Sequence, residues 1–331
     1  MSEEKEVFAR QIREGRQKAE ASDLGYPEVK LTEDDVYIVT GANTGIGYEV
    51  AKNIARMGAK VILACRNMTK AEKAIQQMQM EYEKSFEESS RSGEPITLNV
   101  VKMELDLSSF DSTMKFIETF KAQYSNLKGL ICNAGVVTTE RELTKDGNEI
   151  MFQVNFLSQF VLNLHFLPLL LKNGNDSRIT LVSSDSYIEG AIEFDNMNCE
   201  KQFLSTFNVY GKSKLCQVMS TYWLSRHLKN KSVTITACNP GFIQTQMTAA
   251  LDMLNPYMDQ TLSPEVGAKT VIKAATSPEY KGQTALFFDN CQPIPTTDYA
   301  RDEKLQEKLI QYVMGILKPY LPKNLEDYIE C

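Results

Sequence analysis

The sequence predicts an α/β fold, in which helices cover both faces of a doubly wound parallel sheet of about seven strands. Two observations lead to this expectation. Short β-branched and apolar segments alternate with helix-length segments along the chain, and a glycine-rich turn follows the first of them. With 43% apolar residues, the 331-residue chain can bury the core of one large domain.

The first βαβ unit begins with VYIVT at 36–40 and continues through a helix with Val50, Ile54 and Met57 at helical spacing. Its second strand is at 61–64. Further strands are predicted near 97–104, 130–132, 179–182, 233–237 and 285–288. The helices between them are predicted at about 69–89, 109–124, 147–171 and 206–229. Another helix is expected to begin with Ser263 as N-cap and Pro264 as its first residue.

The domain organisation is predicted as a charged N-terminal extension over 1–34, a single domain over 35–290 and a helical C-terminal tail over 291–331. An amphipathic pattern in that tail favours a helix docked on the domain, with a substrate lid or a membrane-surface contact as the alternatives. The net charge of -7, without a long run of Lys and Arg, argues against a nucleic-acid partner. Seven cysteines without a CxxC pair predict reduced thiols and no metal site. We therefore expect a cytoplasmic protein without a transmembrane segment.

A glycine-rich turn, TGANTGIG at 40–47, lies between the first strand and the first helix. Glycines allow the backbone to approach a pyrophosphate, and the amides at the helix N-terminus attract its charge. This placement is typical of a Rossmann-type dinucleotide-binding fold. The predicted cofactor contacts in the turn are Gly41, Asn43, Thr44, Gly45, Ile46 and Gly47.

The end of the second strand predicts which nicotinamide cofactor binds. A carboxylate there would bind the ribose of NAD, but the sequence has Arg66 and Asn67. The planar guanidinium of Arg66 can bind a 2'-phosphate, so NADP(H) is favoured. Asp106 and Leu107 follow the third strand, and Asp106 either contacts the adenine or starts the next helix.

Polar residues follow three later strands, where ligands bind in folds of this class. CNAG at 132–135 ends the fourth strand, Ser183 and Ser184 end the fifth, and Tyr210 and Lys214 lie one helical turn apart. A carbonyl that accepts a hydride also needs a proton, and a nearby ammonium would stabilise the tyrosine phenolate. Ser184 would bond the substrate oxygen, with Ser183 as the alternative if the strand register shifts by one.

The spacing of Tyr210 and Lys214 is not unique. Tyr26 and Lys30, Tyr48 and Lys52, and Tyr124 and Lys128 fit the same YxxxK pattern. Only Tyr210 begins a helix after a strand that ends in serine, so we assign the chemistry to Tyr210.

In order along the chain, TGANTGIG, CNAG, VSS, YGKSK and NPGFIQT resemble the short-chain dehydrogenase/reductase family over roughly 35–290. The resemblance implies a catalytic set of Asn155, Ser184, Tyr210 and Lys214, in which Asn155 helps to hold a water on the proton path. It also implies that Lys214 binds the nicotinamide ribose. Further implied cofactor contacts are Asn133, Ala134, Gly135, Tyr210, Pro240, Gly241 and Thr245.

Within that family, LACRN, LTKDG, FQVNFLSQF, YGKSKLC and FFDNC are most similar to the branch of the retinol dehydrogenases and the WW-domain oxidoreductase. A single tryptophan, Trp223 inside a predicted helix, leads us to expect no WW module. The segments 185–209 and 246–262 are expected to shape the substrate pocket.

The expected function is NADP(H)-dependent hydride transfer between nicotinamide and a carbonyl or alcohol of a small lipophilic substrate, of the retinoid, steroid or aldehyde/ketone class. The alternative is a catalytically silent nucleotide-binding regulatory or scaffold protein. That alternative predicts damage in the catalytic set, which the sequence does not show. A homodimer that pairs the helices at 147–171 and 206–229 is compatible with catalysis.

Overall fold

The computed structural model describes residue 14 and the ranges 25–88, 97–174, 176–228, 232–249 and 251–330. Most of the predicted N-terminal extension, 1–34, lies outside the described residues. The end of the helix predicted at 69–89 and that of the helix predicted at 206–229 also lie outside them.

Eight strands form one sheet in the order β3-β2-β1-β4-β5-β6-β7-β8. Every neighbouring pair is parallel except β7 and β8, which are antiparallel. The strands are β1 (Val36–Thr40), β2 (Lys60–Cys65), β3 (Val100–Glu104), β4 (Gly129–Cys132), β5 (Ser177–Val182), β6 (Val233–Asn239), β7 (Leu286–Asp289) and β8 (Gln292–Ile294). The predicted doubly wound α/β sheet is confirmed, with one additional strand.

The additional strand, β8, lies in the segment for which the sequence predicted only helix. Its three residues are exposed, and Pro293 in its middle cannot donate to a sheet ladder. Such a segment carries neither apolar alternation nor a strand-like composition, so the sequence could not reveal it. It is placed at the sheet edge by a tight turn in which Asn290 and Cys291 both adopt positive φ.

Seven long α-helices flank the sheet among the described residues: α1 (Gly45–Arg56), α2 (Met68–Glu88), α3 (Phe110–Gln123), α4 (Ile150–Asn173), α5 (Thr206–His227), α6 (Pro264–Thr276) and α7 (Glu303–Leu317). Short helical segments occur at Asp185–Glu189, Gln246–Ala249, Asp252–Gln260, Pro278–Tyr280, Asp298–Arg301, Lys318–Tyr320 and Leu325–Asp327. The predicted start of α6 is confirmed, because the Ser263 hydroxyl accepts a hydrogen bond from the amide of Val266 and Pro264 follows it.

Two hydrophobic cores lie on opposite faces of the sheet. In β1, Ile38 packs into the core beneath α3, α4, α5 and α7, whereas Tyr37 and Val39 pack into the core beneath α1, α2 and α6. Successive side chains of a strand point to opposite faces, so a strand covered on both sides is apolar throughout. This explains why the first strand reads VYIVT without alternation of polar residues.

The helix α4 contains a short segment of π-helix near its N-terminal end. Residues Gln153–Leu157 form a π-helical segment, and Gly174 ends the helix in the left-handed conformation with φ of 66°. By length and composition α4 could cross a membrane, but 83% of its most apolar window is buried inside the fold. We interpret it as a core helix.

The C-terminal helix α7 docks on α5, as its amphipathic pattern predicts. Leu309, Val313 and Leu317 are buried in the first core. At its rim, the indole of Trp223 donates to the carboxylate of Glu307 at 2.7 Å. The tail thus covers part of α5, one of the two helices considered for pairing in a homodimer.

Candidate active site

One cavity of about 1060 Å³ opens beyond the carboxyl ends of the parallel strands. It spans the point where β1 and β4 are neighbours. There the strand order reverses, because β2 and β3 continue to one side of β1 and the later strands to the other side. Nearly every residue proposed from the sequence lines it: Gly41, Asn43, Thr44, Gly45, Ile46, Gly47, Arg66, Asn67, Asp106, Leu107, Asn133, Ala134, Gly135, Ser184, Tyr210, Lys214, Pro240, Gly241 and Thr245. Asn155 is the exception.

The glycine-rich turn fits a closely approaching ligand. Gly41 and Gly45 have φ of 66° and 58°, a region that favours glycine. A Cβ on Gly47 would lie 2.4 Å from Nδ2 of Asn133 and 2.6 Å from the carbonyl oxygen of Gly41. The backbone is therefore packed too tightly for a side chain, and α1 begins directly at the cavity wall. This cradle is suited to the pyrophosphate of a dinucleotide.

Hydrogen bonds tie the ends of β1 and β4 together. The Thr40 hydroxyl accepts from the amides of Asn133 and Ala134 at 2.9 Å each, and Nδ2 of Asn133 donates to the Thr40 carbonyl at 2.8 Å. The CNAG segment is thereby held beside the glycine-rich turn. Thr40 is fully buried, and these three hydrogen bonds leave the half-buried loop little freedom.

Beyond β2 and β3, the cavity has two cationic side chains and an ordered turn. We call this part the adenosine end, because the adenosine of a dinucleotide would lie there. Arg66 and Lys70 both line the cavity, and the side-chain Oδ1 of Asn67 accepts from the backbone amide of Lys70 at the start of α2. The Asp106 carboxylate accepts from the amide and hydroxyl of Ser108 at 3.0 and 2.7 Å. Ser109, rather than Asp106, caps α3. Contact of Asp106 with adenine stays a prediction.

The two serines after β5 differ in their surroundings. Ser183 is buried, and its hydroxyl donates to the Lys214 carbonyl at 3.1 Å, which secures β5 to α5. Ser184 is more open to the cavity, and its hydroxyl is within hydrogen-bonding distance of the carboxylate of Asp185. The geometry favours Ser184 as the group that meets a substrate.

Tyr210 and Lys214 lie on the cavity side of α5. The Lys214 ammonium is 5.3 Å from the centroid of the Tyr210 ring and donates to the Val182 carbonyl at 2.9 Å. The bond to Val182 fixes the lysine at the end of β5, directly before the two serines. Tyrosine, lysine and Ser184 thus share one wall of the cavity.

Burial changes the protonation of both groups. It lowers the pKa of Lys214 to about 8. Burial also raises the pKa of Tyr210, and the carboxylate of Asp185 raises it further. The ammonium of Lys214 alone therefore does not produce the expected easier ionisation of Tyr210. That expectation also requires the positive charge of an oxidised nicotinamide, and it stays a prediction.

Asn155 lies in the π-helical segment of α4 and is fully buried. Its Nδ2 donates to the Val136 carbonyl at 3.0 Å and to the Ser213 hydroxyl at 2.9 Å, and its Oδ1 accepts from the Val136 amide at 2.7 Å. The side chain thus links the loop after β4 to α5, next to Lys214 in the chain. Its proposed part in a water-mediated proton path stays a prediction.

Sequence reasoning missed two features of the site. The segment after Ser184 crosses α5 at Gly211, where a Cβ would lie 2.3 Å from the Ser186 carbonyl oxygen. Gly190 is equally confined against the backbone of Gly211, at 2.6 Å. Asp185, the second missed feature, carries a carboxylate into the cavity wall. A glycine inside YGKSK is the one signal in the sequence for this close crossing.

The pocket-shaping segments are only partly as expected. Residues from 246–262 line the cavity, as do residues of 185–188 and Phe207. The loop between them packs away from the cavity instead. The ammonium of Lys212 holds this loop by donating to the carbonyls of Asn196 and Met197 at 3.1 and 2.7 Å.

Comparisons with known proteins agree with this geometry. The family model for short chain dehydrogenase matches residues 35–254. Retinol dehydrogenase 14 of Homo sapiens is 33% identical over 292 residues, covering 85% of this chain and 86% of the relative. The WW domain-containing oxidoreductase of Gallus gallus is 33% identical over 306 residues, covering 86% of this chain and 70% of the relative.

A solved structure from Mycobacterium Paratuberculosis superposes with a TM-score of 0.70 at 26% identity, covering 90% of this chain and all of the other. A short-chain type dehydrogenase/reductase from Mycobacterium marinum superposes with a TM-score of 0.60 at 18% identity, covering 79% and 96% of the two chains, and shows the shared fold. The chain therefore belongs to the short-chain dehydrogenase family of oxidoreductases, which use a nicotinamide cofactor to act on alcohol or carbonyl groups.

Proposed function

We propose that this protein is an NADP(H)-dependent oxidoreductase that interconverts a carbonyl and an alcohol on a small lipophilic substrate. The observation that carries the proposal is one continuous cavity, with the glycine-rich turn at one end and Ser184, Tyr210 and Lys214 at the other. A nucleotide-binding scaffold without turnover would not need an acid-base pair and a hydroxyl donor on one cavity wall.

The residues present fit a dinucleotide. Because Gly41, Gly45 and Gly47 have no side chains, the backbone of the turn can come close to a bound pyrophosphate. The N-terminal amides of α1 would face the same group. Asn133, Lys214 and Gly241 would lie along the nicotinamide half. When bound, the nicotinamide supplies or accepts the hydride.

The protein's own groups would manage the proton. In carbonyl reduction, the Tyr210 phenol donates its proton to the substrate oxygen while the Ser184 hydroxyl donates a hydrogen bond to the same atom. Lys214 offsets the negative charge that develops on the phenolate. In alcohol oxidation, the phenolate accepts the hydroxyl proton.

NADP(H) rather than NAD(H) is proposed because cations, Arg66 and Lys70, line the cavity beyond β2. A 2'-phosphate accepts charge-assisted hydrogen bonds from a guanidinium, whereas the 2'-hydroxyl of NAD gains nothing comparable.

Arg66→Ala is expected to lower kcat/KM for NADPH by roughly 10- to 100-fold, because one such contact contributes about 1.5–3 kcal/mol. The value for NADH should change by less than about threefold. Steady-state rates with each cofactor at fixed substrate provide the measurement. Arg56→Ala, on α1, is the matched control, since Arg56 bonds Ser85 outside the cavity. Equal losses for both cofactors would contradict a role of Arg66 in cofactor choice.

A lipophilic substrate is supported by the cavity wall near Tyr210. Apolar side chains line it there, including Val137, Phe207, Met247 and Leu262. The relative named retinol dehydrogenase 14 points to the same class. The candidate substrates are therefore retinoids, steroids and smaller aldehydes or ketones.

The function is tested by NADPH oxidation with a panel of aldehydes, ketones and retinoids, followed through the absorbance of the reduced nicotinamide. Turnover of at least one carbonyl is expected. NADPH binding, measured by calorimetry, without turnover of any panel member or of the corresponding alcohols with NADP would support the silent binding protein instead.

We further propose a cytoplasmic location, supported by six described cysteines that are all free and buried. Cell fractionation or imaging of a tagged chain would test it. The possible homodimer stays a prediction that sizing chromatography would test.

A further inference from the structure

The carboxylate of Asp185 lies beside Ser184, the residue that is proposed to donate a hydrogen bond to the substrate oxygen. The Ser184 hydroxyl is 3.1 Å from Oδ1 of Asp185 and donates to it, while it accepts from the amide of Ser186 at 3.2 Å. The Ser186 hydroxyl, at 3.2 Å, is the other acceptor within reach. A serine hydroxyl has one proton, so a bond to Asp185 competes with a bond to a substrate oxygen.

The charge of Asp185 is not neutralised by an ion pair. Across the described ranges, no lysine or arginine nitrogen lies within ion-pair distance of its carboxylate. The groups that face this part of the cavity are Tyr210 and Lys214 from α5, Asp289 from β7 and Lys269 from α6. Lys214 is already engaged with the Val182 carbonyl. The cations of the adenosine end lie beyond β2, three strands away from β5.

The pKa shifts of Asp185 and Tyr210 agree with a carboxylate that has no cationic partner in the described part of the chain. Asp185 is a solvent-exposed residue, so water partly screens its charge. The surrounding protein still raises the pKa of its carboxyl by desolvation, the hydrogen bond from Ser184 opposes this, and the charge of Asp289 raises the pKa further. For Tyr210, burial is the larger cause of the raised pKa, and the charge of Asp185 is the second. A negative charge near a phenol disfavours the phenolate, which alcohol oxidation requires.

We infer that Asp185 is a positioning residue of this site: it holds the Ser184 hydroxyl, and its negative charge moves the onset of alcohol oxidation to higher pH. The inference rests on the proposed function. Asp185 does not itself exchange a proton with the substrate. It acts through Ser184, whose hydroxyl proton it accepts until a substrate oxygen competes for that proton, and through Tyr210, whose ionised form it disfavours.

Asp185→Asn isolates the charge, because the amide oxygen can still accept from Ser184. The acid limb of kcat/KM for alcohol oxidation should move to lower pH by roughly half a unit or more, as expected when a nearby like charge is removed. Asp185→Ala should show the same shift and, in addition, a changed KM for the carbonyl. Asp111→Asn, an exposed carboxylate on α3, is the matched control and should leave the limb unmoved.

A second measurement separates this inference from the proposed function. NMR of the protein with 13C-labelled tyrosine rings, with Tyr210→Phe to assign the signal, follows ionisation of Tyr210 without any substrate. Because burial raises the pKa of Tyr210, the readout is the alkaline onset of its ionisation, which should come at lower pH in Asp185→Asn than in the wild type. Superimposable titrations in the two proteins would overturn the inference, whatever the activity. Loss of activity in every variant, with the titration shift intact, would count against the proposed function alone.

Discussion

Tyr210→Phe is expected to lower kcat for carbonyl reduction by roughly 10²- to 10⁴-fold, the usual contribution of a positioned general acid. This corresponds to about 3–5 kcal/mol of transition-state stabilisation. The substitution removes one oxygen and keeps the ring above which the Lys214 ammonium lies. Stability and cofactor affinity should therefore change little. Single-turnover rates with saturating NADPH, together with a dissociation constant for NADPH, measure both quantities.

The chain contains its own control for this experiment. Tyr48 and Lys52 repeat the YxxxK spacing, and the Lys52 ammonium lies 5.2 Å from the Tyr48 ring centroid, nearly the same geometry as at Tyr210. That pair lies on α1, where Lys52 is paired with Glu49 and Glu81, outside the cavity. Tyr48→Phe should leave kcat unchanged. Similar losses in both variants would show that spacing and packing, not proton transfer, account for the effect.

Lys214→Met is expected to abolish measurable turnover and yet to stabilise the fold. Lys214 is 2% exposed, and burial lowers its pKa to about 8 from the ordinary 10.5. Holding its charge inside the protein thus costs roughly 1–3 kcal/mol at pH 7. Methionine has a similar length and carries no charge. Denaturant unfolding of the wild type and the variant at several pH values measures the difference.

The pH dependence of that difference has a definite sign. Below pH 8 the lysine is charged in both the folded and unfolded states, so the full cost of burial is present. Between pH 8 and 10.5 the folded state releases its proton first, and the wild type gains stability as the pH rises. The advantage of Lys214→Met should therefore be largest below pH 8 and shrink through this window.

Lys52→Met provides the opposite case. Burial acts to lower the pKa of Lys52, but hydrogen bonds and charges from Glu81 and Glu49 raise it above its ordinary value. Removing that ammonium should destabilise the fold. A loss of stability in Lys214→Met comparable to that in Lys52→Met would contradict the conclusion that the buried charge of Lys214 destabilises the fold.

The order of strands and helices could be predicted from the sequence because each buried parallel strand is a compact apolar run. VYIVT at 36–40 matches β1 residue for residue, and Ser263 and Pro264 begin α6 as the capping pattern predicts. The π-helical segment at Gln153–Leu157 could not be predicted, since the residues to which its Asn155 bonds, Val136 and Ser213, are distant in the chain. The helix propensities of residues 153–157 do not reveal those partners.

The cofactor end of the site was more predictable than the substrate end. Glycines at 41, 45 and 47 are demanded by local backbone conformation and close contacts, so they leave a motif in the sequence. Asp185 was missed because its effect on Tyr210 arises between residues 25 positions apart, across the crossing of Gly190 and Gly211. Spacing along the chain does not encode that proximity.

A crystal structure of the protein with NADP and a substrate alcohol analogue would show whether Tyr210 and Lys214 act on a substrate beside the nicotinamide. We expect the nicotinamide between the glycine-rich turn's side of the cavity and Tyr210, with the phenol oxygen and the reacting substrate atoms about 3–3.5 Å apart. Ser184 should contact the same substrate oxygen. A dinucleotide bound elsewhere, or a nicotinamide ring directed away from Tyr210 and Lys214, would contradict it.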